Sequence, residues 1–185
     1  GLYCDGRGAE CSPTLRNVVF SGNTASKDGG AIKNNAENTA GTSSPVLANV
    51  VFRGNTANLG GAMHTDADAA SGSTISPELT NVVFANNAAD GGDGDGGAFY
   101  IDAQGGPTNN AVFTNTVFTG NSATDEGGAV YSAEASPEIR NSILWDNSAT
   151  NNGDEVEDFS GAVTLSHSIV QGGASGVGGS SNTNF

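Results

Sequence analysis

A twelve-residue motif that recurs along the chain, two short β-like pieces per copy, and turns made of Gly, Asn and Ser predict an all-β solenoid. The specific form they predict is a right-handed, single-stranded parallel β-helix of about six coils. The motif SPTLRNVVFSGN starts at Ser12. It returns as SPVLANVVFRGN from Ser44, SPELTNVVFANN from Ser76, NAVFTNTVFTGN from Asn110 and SPEIRNSILWDN from Ser136. A worn copy, GAVTLSHSIVQGG, starts at Gly161. Aligning Asn17, Asn49, Asn81, Asn115, Asn141 and His167 gives spacings of 32, 32, 34, 26 and 26. No copy holds a helix-length amphipathic run, which separates the pattern from a leucine-rich repeat. Right-handedness is expected from the general preference of parallel crossovers.

The first β piece is read by its columns. Leu15, Leu47, Leu79, Phe113, Ile139 and Leu165 form one apolar column. The Asn column lies two residues on, and Val19, Val51, Val83, Val117, Ile143 and Ile169 two further. Period-two alternation therefore predicts that Leu15, Asn17 and Val19 face inward, with the Arg16 and Val18 columns outward. Adjacent coils lie ~4.8 Å apart, so Asn17, Asn49, Asn81, Asn115 and Asn141 are expected to stack as an inward amide ladder. Phe20, Phe52, Phe84 and Phe118 break the alternation, and a corner there would turn them inward as well. A second ladder, at Asn23, Asn55, Asn87, Asn121 and Asn147, could form at that corner. The other β piece follows paired glycines: GGAI from Gly29, GGAM from Gly60, GGAF from Gly96 and GGAV from Gly127. The fifth copy shows no such element. The repeat spans nearly the whole chain, so residues 1–185 read as one β-helix domain. The opening Gly-Leu-Tyr without Met predicts a processed chain or a segment of a longer secreted or surface protein.

Composition limits the partners. Twenty Asp and Glu oppose six Lys and Arg, for a formal charge of −14. Such a chain repels nucleic acid and anionic membranes. No run of 18 apolar residues is present, so no membrane span is expected in this segment. Cys4 and Cys11 share one short loop, and a local disulfide in an oxidising, extracellular compartment is the simplest account of them. Two free thiols in a reduced cell are the other.

The paired motifs FSGN, FRGN, FANN and FTGN with GGAI and its variants resemble the FxxN and GGAI repeats of chlamydial-type polymorphic outer membrane proteins. More broadly the chain is similar to bacterial β-helix repeat proteins of the pectate-lyase-like superfamily. That resemblance implies a surface or secreted β-helix: an adhesin, a stalk or a carbohydrate-binding module. Its partner would be a polysaccharide or a host or cell-surface glycan. It also raises the alternative of a polysaccharide lyase or glycoside hydrolase.

The residues themselves supply no catalytic set. A lyase needs a base and a cation to neutralise a uronate, and the four arginines are scattered. Glu78 and Glu138 lie two coils apart, roughly 10 Å, a weak match to a hydrolase pair. His64 shares a column with Lys33, Tyr100 and Tyr131 that is read as outward and solvated. Tyr100 and Tyr131 stand on adjacent coils, either as a sugar-stacking platform or as ordinary surface stacking. His167 replaces the ladder Asn. Asp93, Asp95, Asp125 and Glu126 precede the third and fourth GGA elements. Stacked turns would bring them together, to sit solvated or to bind Ca²⁺ through hard oxygen ligands.

Overall fold

The computed structural model describes residues 1–37, 40–67, 72–103, 108–179 and 182–183. It is a parallel β-helix: among the described residues every strand pairing is parallel, and each joins a segment to its counterpart one coil away. The GGA-linked pieces form a six-stranded sheet: Leu2–Asp5, Ile32–Ala36, Met63–Ala67, Phe99–Asp102, Val130–Ala133 and Val156–Phe159. The motif strands form an eleven-stranded sheet, and short strands such as Thr56–Ala57 and Ala88–Ala89 form a four-stranded one.

The core is like upon like. Leu15, Leu47, Leu79, Phe113, Ile139 and Leu165 pair in register, as do Phe20, Phe52, Phe84, Phe118, Leu144 and Val170. The rings of Phe20, Phe52, Phe84 and Phe118 stack at 5.0, 4.8 and 4.9 Å, within 6° of parallel. From the other wall Ile32, Met63, Phe99, Val130 and Val156 fill the same core. Apolar area removed from water here, at about 25 cal/mol per Å², is the main stabilising term.

The inward position of the first Asn column is corrected by the structure. Asn17, Asn49, Asn81, Asn115 and Asn141 are exposed. All five have φ between 52° and 57°, the left-handed region, and His167 shares it. Asn tolerates this conformation better than any residue but Gly. A left-handed residue shifts the phase of the alternation. After it, Val18, Val50, Val82 and Thr116 point inward, and Val19 and its stack point out. The exposed amides still form a ladder: Asn49 Nδ2 donates to Asn17 Oδ1 at 3.1 Å, Asn81 to Asn49 and Asn115 to Asn81 at 3.2 Å.

The buried ladder is the second one. Asn23 Nδ2 and its backbone N–H both donate to Asn55 Oδ1, and the same pair of bonds links Asn55 to Asn87, Asn87 to Asn121 and Asn121 to Asn147. The second amide hydrogen of Asn55, Asn87, Asn121 and Asn147 goes to the carbonyl of Phe20, Phe52, Phe84 and Phe118. One side chain thus serves three groups at a sharp corner. The preceding residue makes that corner: Gly22, Gly54, Asn86, Gly120 and Asp146 are all left-handed. That accounts for the FxGN spacing. In the GGA pairs the first glycine is left-handed (Gly60, φ 60°), and a Cβ on the second, Gly61, would lie 2.2 Å from the Gly97 carbonyl oxygen of the next coil. Cys4 and Cys11 are joined in a disulfide, Cα–Cα 5.6 Å, closing the first loop.

The two ladders separate in a stability measurement. Asn87→Leu orphans several buried partners and is expected to cost about 3 kcal/mol or more. Asn81→Gly, at an exposed left-handed position, is expected to be within about 1 kcal/mol of neutral. Urea midpoints of the two variants, read against the parent, check both.

Candidate functional site

The outer side of the six-stranded sheet carries the column Tyr3, Lys33, His64, Tyr100, Tyr131 and Glu157, in register across all six rungs. Alternation places it outward, opposite the inward Ile32 stack. Its middle rungs are nevertheless not solvated. His64 is 3% exposed and Tyr100 and Tyr131 are 8% each. The rings of Tyr100 and Tyr131 stack at 5.0 Å with Leu59 packed against them, so the broad ring faces are covered. Both phenols are held well above their usual pKa, first by burial and then by neighbouring carboxylates, with Tyr131 also acting on Tyr100. The expected solvated His64 and the Tyr100–Tyr131 sugar platform are therefore both corrected: the adjoining turns cover this column. The exposed aromatic ring of the column is Tyr3, at 56%.

At that end a polar cluster is assembled. Lys33 Nζ contacts Asp66 Oδ2 at 2.7 Å, Asp28 Oδ2 at 3.3 Å and His64 Nδ1 at 3.1 Å. An ammonium only donates, so His64 Nδ1 accepts and the imidazole carries its proton on Nε2. Burial, and secondarily the Lys33 charge, hold His64 well below its usual pKa, so it stays neutral. Its ring meets Tyr100 edge to face at 4.7 Å. Asn35 Nδ2 donates to Tyr3 Oη at 3.0 Å, and the Glu37 N–H donates to Asn35 Oδ1. Glu37 is pushed up by burial and then by Asp66. These groups line a depression of about 480 Å³, bounded by Tyr3, Lys27, Asp28, Lys33, Glu37 and Asp66. Two further depressions, of about 340 and 430 Å³, adjoin it and share Asp28.

The acidic turns are stacked but turned to other partners. The Glu126 N–H donates to Asp95 Oδ1 at 3.0 Å, Asn152 Nδ2 donates to Glu126 Oε1 at 2.7 Å, and Asn151 Nδ2 donates to Asp125 Oδ1. Asp93 is exposed. Among the described residues no group of three or more His, Cys, Asp or Glu side chains is placed to hold a metal ion. Asp95 is pushed up to about 7, first by burial and then by Asp125, Glu126 and Asp93, against the lowering effect of its backbone hydrogen bond.

A second group of buried acids was not singled out by sequence. The fifth coil does have its counterpart of the GGA strand, Val156–Phe159, in register with Val130–Ala133. Glu155 therefore stands where the coils before it have Ala31, Ala62, Ala98 and Ala129. It is 1% exposed, accepts from Asn147 Nδ2 at 2.6 Å, and so ends the buried ladder on a carboxylate. Burial pushes it up to about 7. The 26-residue spacing carried forward from Ala129 points at this position; the missing Gly-Gly-Ala letters hid it. Glu78 and Glu138 sit two rungs apart, but Glu138 pairs with Arg140 at 3.1 Å on an open sheet face.

Two stretches, residues 17–35 and 115–133, match the Chlamydia polymorphic membrane protein (Chlamydia_PMP) repeat. Each runs from the exposed ladder Asn through the FxxN corner to the GGA strand. These two matches and the all-parallel strands fit a PMP-like β-helix repeat. The PMP family is associated with the outer membrane and the cell surface, which supports a cell-surface location at that coarse level. No curated protein and no solved structure matches the chain. Among the described residues no helix is long and apolar enough to cross a membrane.

Asp95 and Glu155 push the pH response in one direction, and the neutral buried His64, its pKa lowered, pushes it in the other. Each acid has a folded pKa near 7, above its unfolded value of 3.8 or 4.5, so the folded state binds protons more tightly. Their contribution to stability is then greatest near the unfolded carboxylate range and falls as pH rises toward about 7. Between about pH 4.5 and about pH 7.5 these two acids are expected to lower the thermal midpoint by several degrees, against the opposite contribution of His64. Asp95→Asn together with Glu155→Gln should remove that lowering in the same scan.

Proposed function

We propose that this chain is a non-catalytic, surface-displayed β-helical segment with an adhesin-like role, contacting neutral glycans through the depression beside Tyr3. The observation that carries the reading is the exposed Tyr3 ring, held by Asn35 at the rim of a depression whose floor is the fixed Lys33–Asp66–Asp28 group. An aromatic face for a sugar ring, with immobilised donors and acceptors beside it, is the usual make-up of a small polar-ligand site. Its volume is on the scale of such sites. The lining contributes Asp28, Glu37 and Asp66 against Lys27 and Lys33, one net negative charge, so a uronate-rich polymer is disfavoured. The PMP repeat match supports display at a cell surface.

A glycan array probed with the parent chain, with and without EDTA, tests the reading. Binding of neutral glycans that falls at least about tenfold in both Tyr3→Ala and Asp66→Asn is expected. Binding unchanged by both substitutions sinks the site. Binding lost with EDTA and restored by Ca²⁺ would move the ligand contact to a cation site at Asp93, Asp95, Asp125 and Glu126. Release of reducing or unsaturated sugar from pectin, alginate or xylan would favour the lyase or hydrolase alternative.

A further inference from the structure

The outer face of the eleven-stranded sheet has a different character from the rest of the chain. Once the left-handed Asn has shifted the alternation, Val19, Val51, Val83, Val117, Ile143 and Ile169 point outward in register. They form an aliphatic stripe along all six rungs. Val19 and Ile169 at its ends are each 57% exposed, and Ile143 is 41%. The Asn ladder borders it on one side. On the other runs a column that includes Arg53 on the second rung and Trp145, 52% exposed, on the fifth. The strands of this sheet contain three cations, Arg16, Arg53 and Arg140, and two acids, Glu78 and Glu138, a net of +1. The whole chain is −14, so everything else carries −15. The arginines lie along the sheet: Arg53 Nε donates to Ser21 Oγ and Arg140 Nε to Thr114 Oγ1, each one rung away.

We infer that this face binds a second copy of the same chain, stripe against stripe, with the two solenoids antiparallel. Charge selects the face, and the reciprocal match of Arg53 to Trp145 across it selects a second copy as the partner. Elsewhere two copies meet acid on acid, whereas here the field is nearly neutral and apolar. Antiparallel pairing about a two-fold axis along the strands sets first rung on sixth, second on fifth and third on fourth. Equivalent columns then face each other. Arg53 of one copy meets Trp145 of the other, a cation over an indole, and does so twice. Arg140 meets the small Ala48, and Arg16 meets Ser166. Under this register no cation opposes a cation and no acid opposes an acid. From the Asn column to the next corner is about 17 Å, and six rungs span about 24 Å, so each copy covers roughly 400 Å². That is a small interface, and it places the dimer among weak, concentration-dependent contacts. On a surface-displayed rod the antiparallel sense would join chains from two facing surfaces; that step rests on the proposed function, whereas the dimer itself does not.

Sedimentation equilibrium of the parent from about 10 μM to about 1 mM is the first measurement, with a monomer–dimer equilibrium expected in that range. Val83→Glu with Val117→Glu, at the centre of the stripe, should weaken dimerisation at least about tenfold; unchanged dimerisation overturns the assignment. The second measurement does not depend on how that variant folds. Arg53→Cys with Trp145→Cys should yield a disulfide-linked dimer on a non-reducing gel. Either single variant should not, because equivalent positions stay three rungs, about 14 Å, apart. A parent that remains monomeric throughout, or cross-linking by a single variant, overturns the proposal.

Discussion

Every feature of this chain depends on one constraint: each coil must hydrogen-bond to the coil beside it through its whole circumference, corners included. Strands satisfy this easily, because parallel ladders repeat without limit. Corners do not. At the FxxN corner a left-handed residue turns the chain, and the buried Asn that follows replaces the missing ladder. Its amide oxygen takes two donors from the previous coil, and its amide hydrogens feed the next Asn and the Phe carbonyl of the previous coil. Since each rung is served only by its neighbours, the residue types at these positions must repeat. The motif is thus a corner specification written once per coil.

The same constraint explains where chemistry can reside. Inward positions are committed to stacking and the backbone to its ladders, which leaves outward columns and turns. On the six-stranded sheet those turns fold over the outward column and bury His64, Tyr100 and Tyr131, leaving Tyr3 and the Lys33 cluster accessible. On the eleven-stranded sheet the corners stay tight and no described turn covers the Val stripe. A chain of net charge −14 consequently has one acidic flank with depressions and one nearly neutral aliphatic face. Two acids of raised pKa, the half-buried Asp95 and the buried Glu155, sit where the repeat is interrupted by insertion or substitution.

Legibility followed the same division. The solenoid, its rungs and their register could be read because like residues recur at like positions. The assignment of the Asn17 column failed at a single step: alternation was carried through a residue whose backbone reverses it. Asn occupies both columns, and an isolated amide does not announce whether it caps a left-handed bend outside or bridges three groups inside. Only φ separates them, 57° at Asn49 in the exposed column against the buried Asn55 that follows left-handed Gly54. Glu155 was hidden for a related reason. Its letters depart from Gly-Gly-Ala, although its spacing does not.

The sequence by itself determined the repeat length, the stacked Leu15 and phenyl columns of the core and the coil-to-coil pairing, because these rest on identity between positions a fixed distance apart. Only the tertiary structure decided which side of the wall each polar column occupies and how far an outward column is covered. It alone decided whether stacked carboxylates converge on a point or turn to separate donors. Those outcomes depend on left-handed corners and on turns of unequal length lying against one another, and neither leaves a periodic trace in the chain.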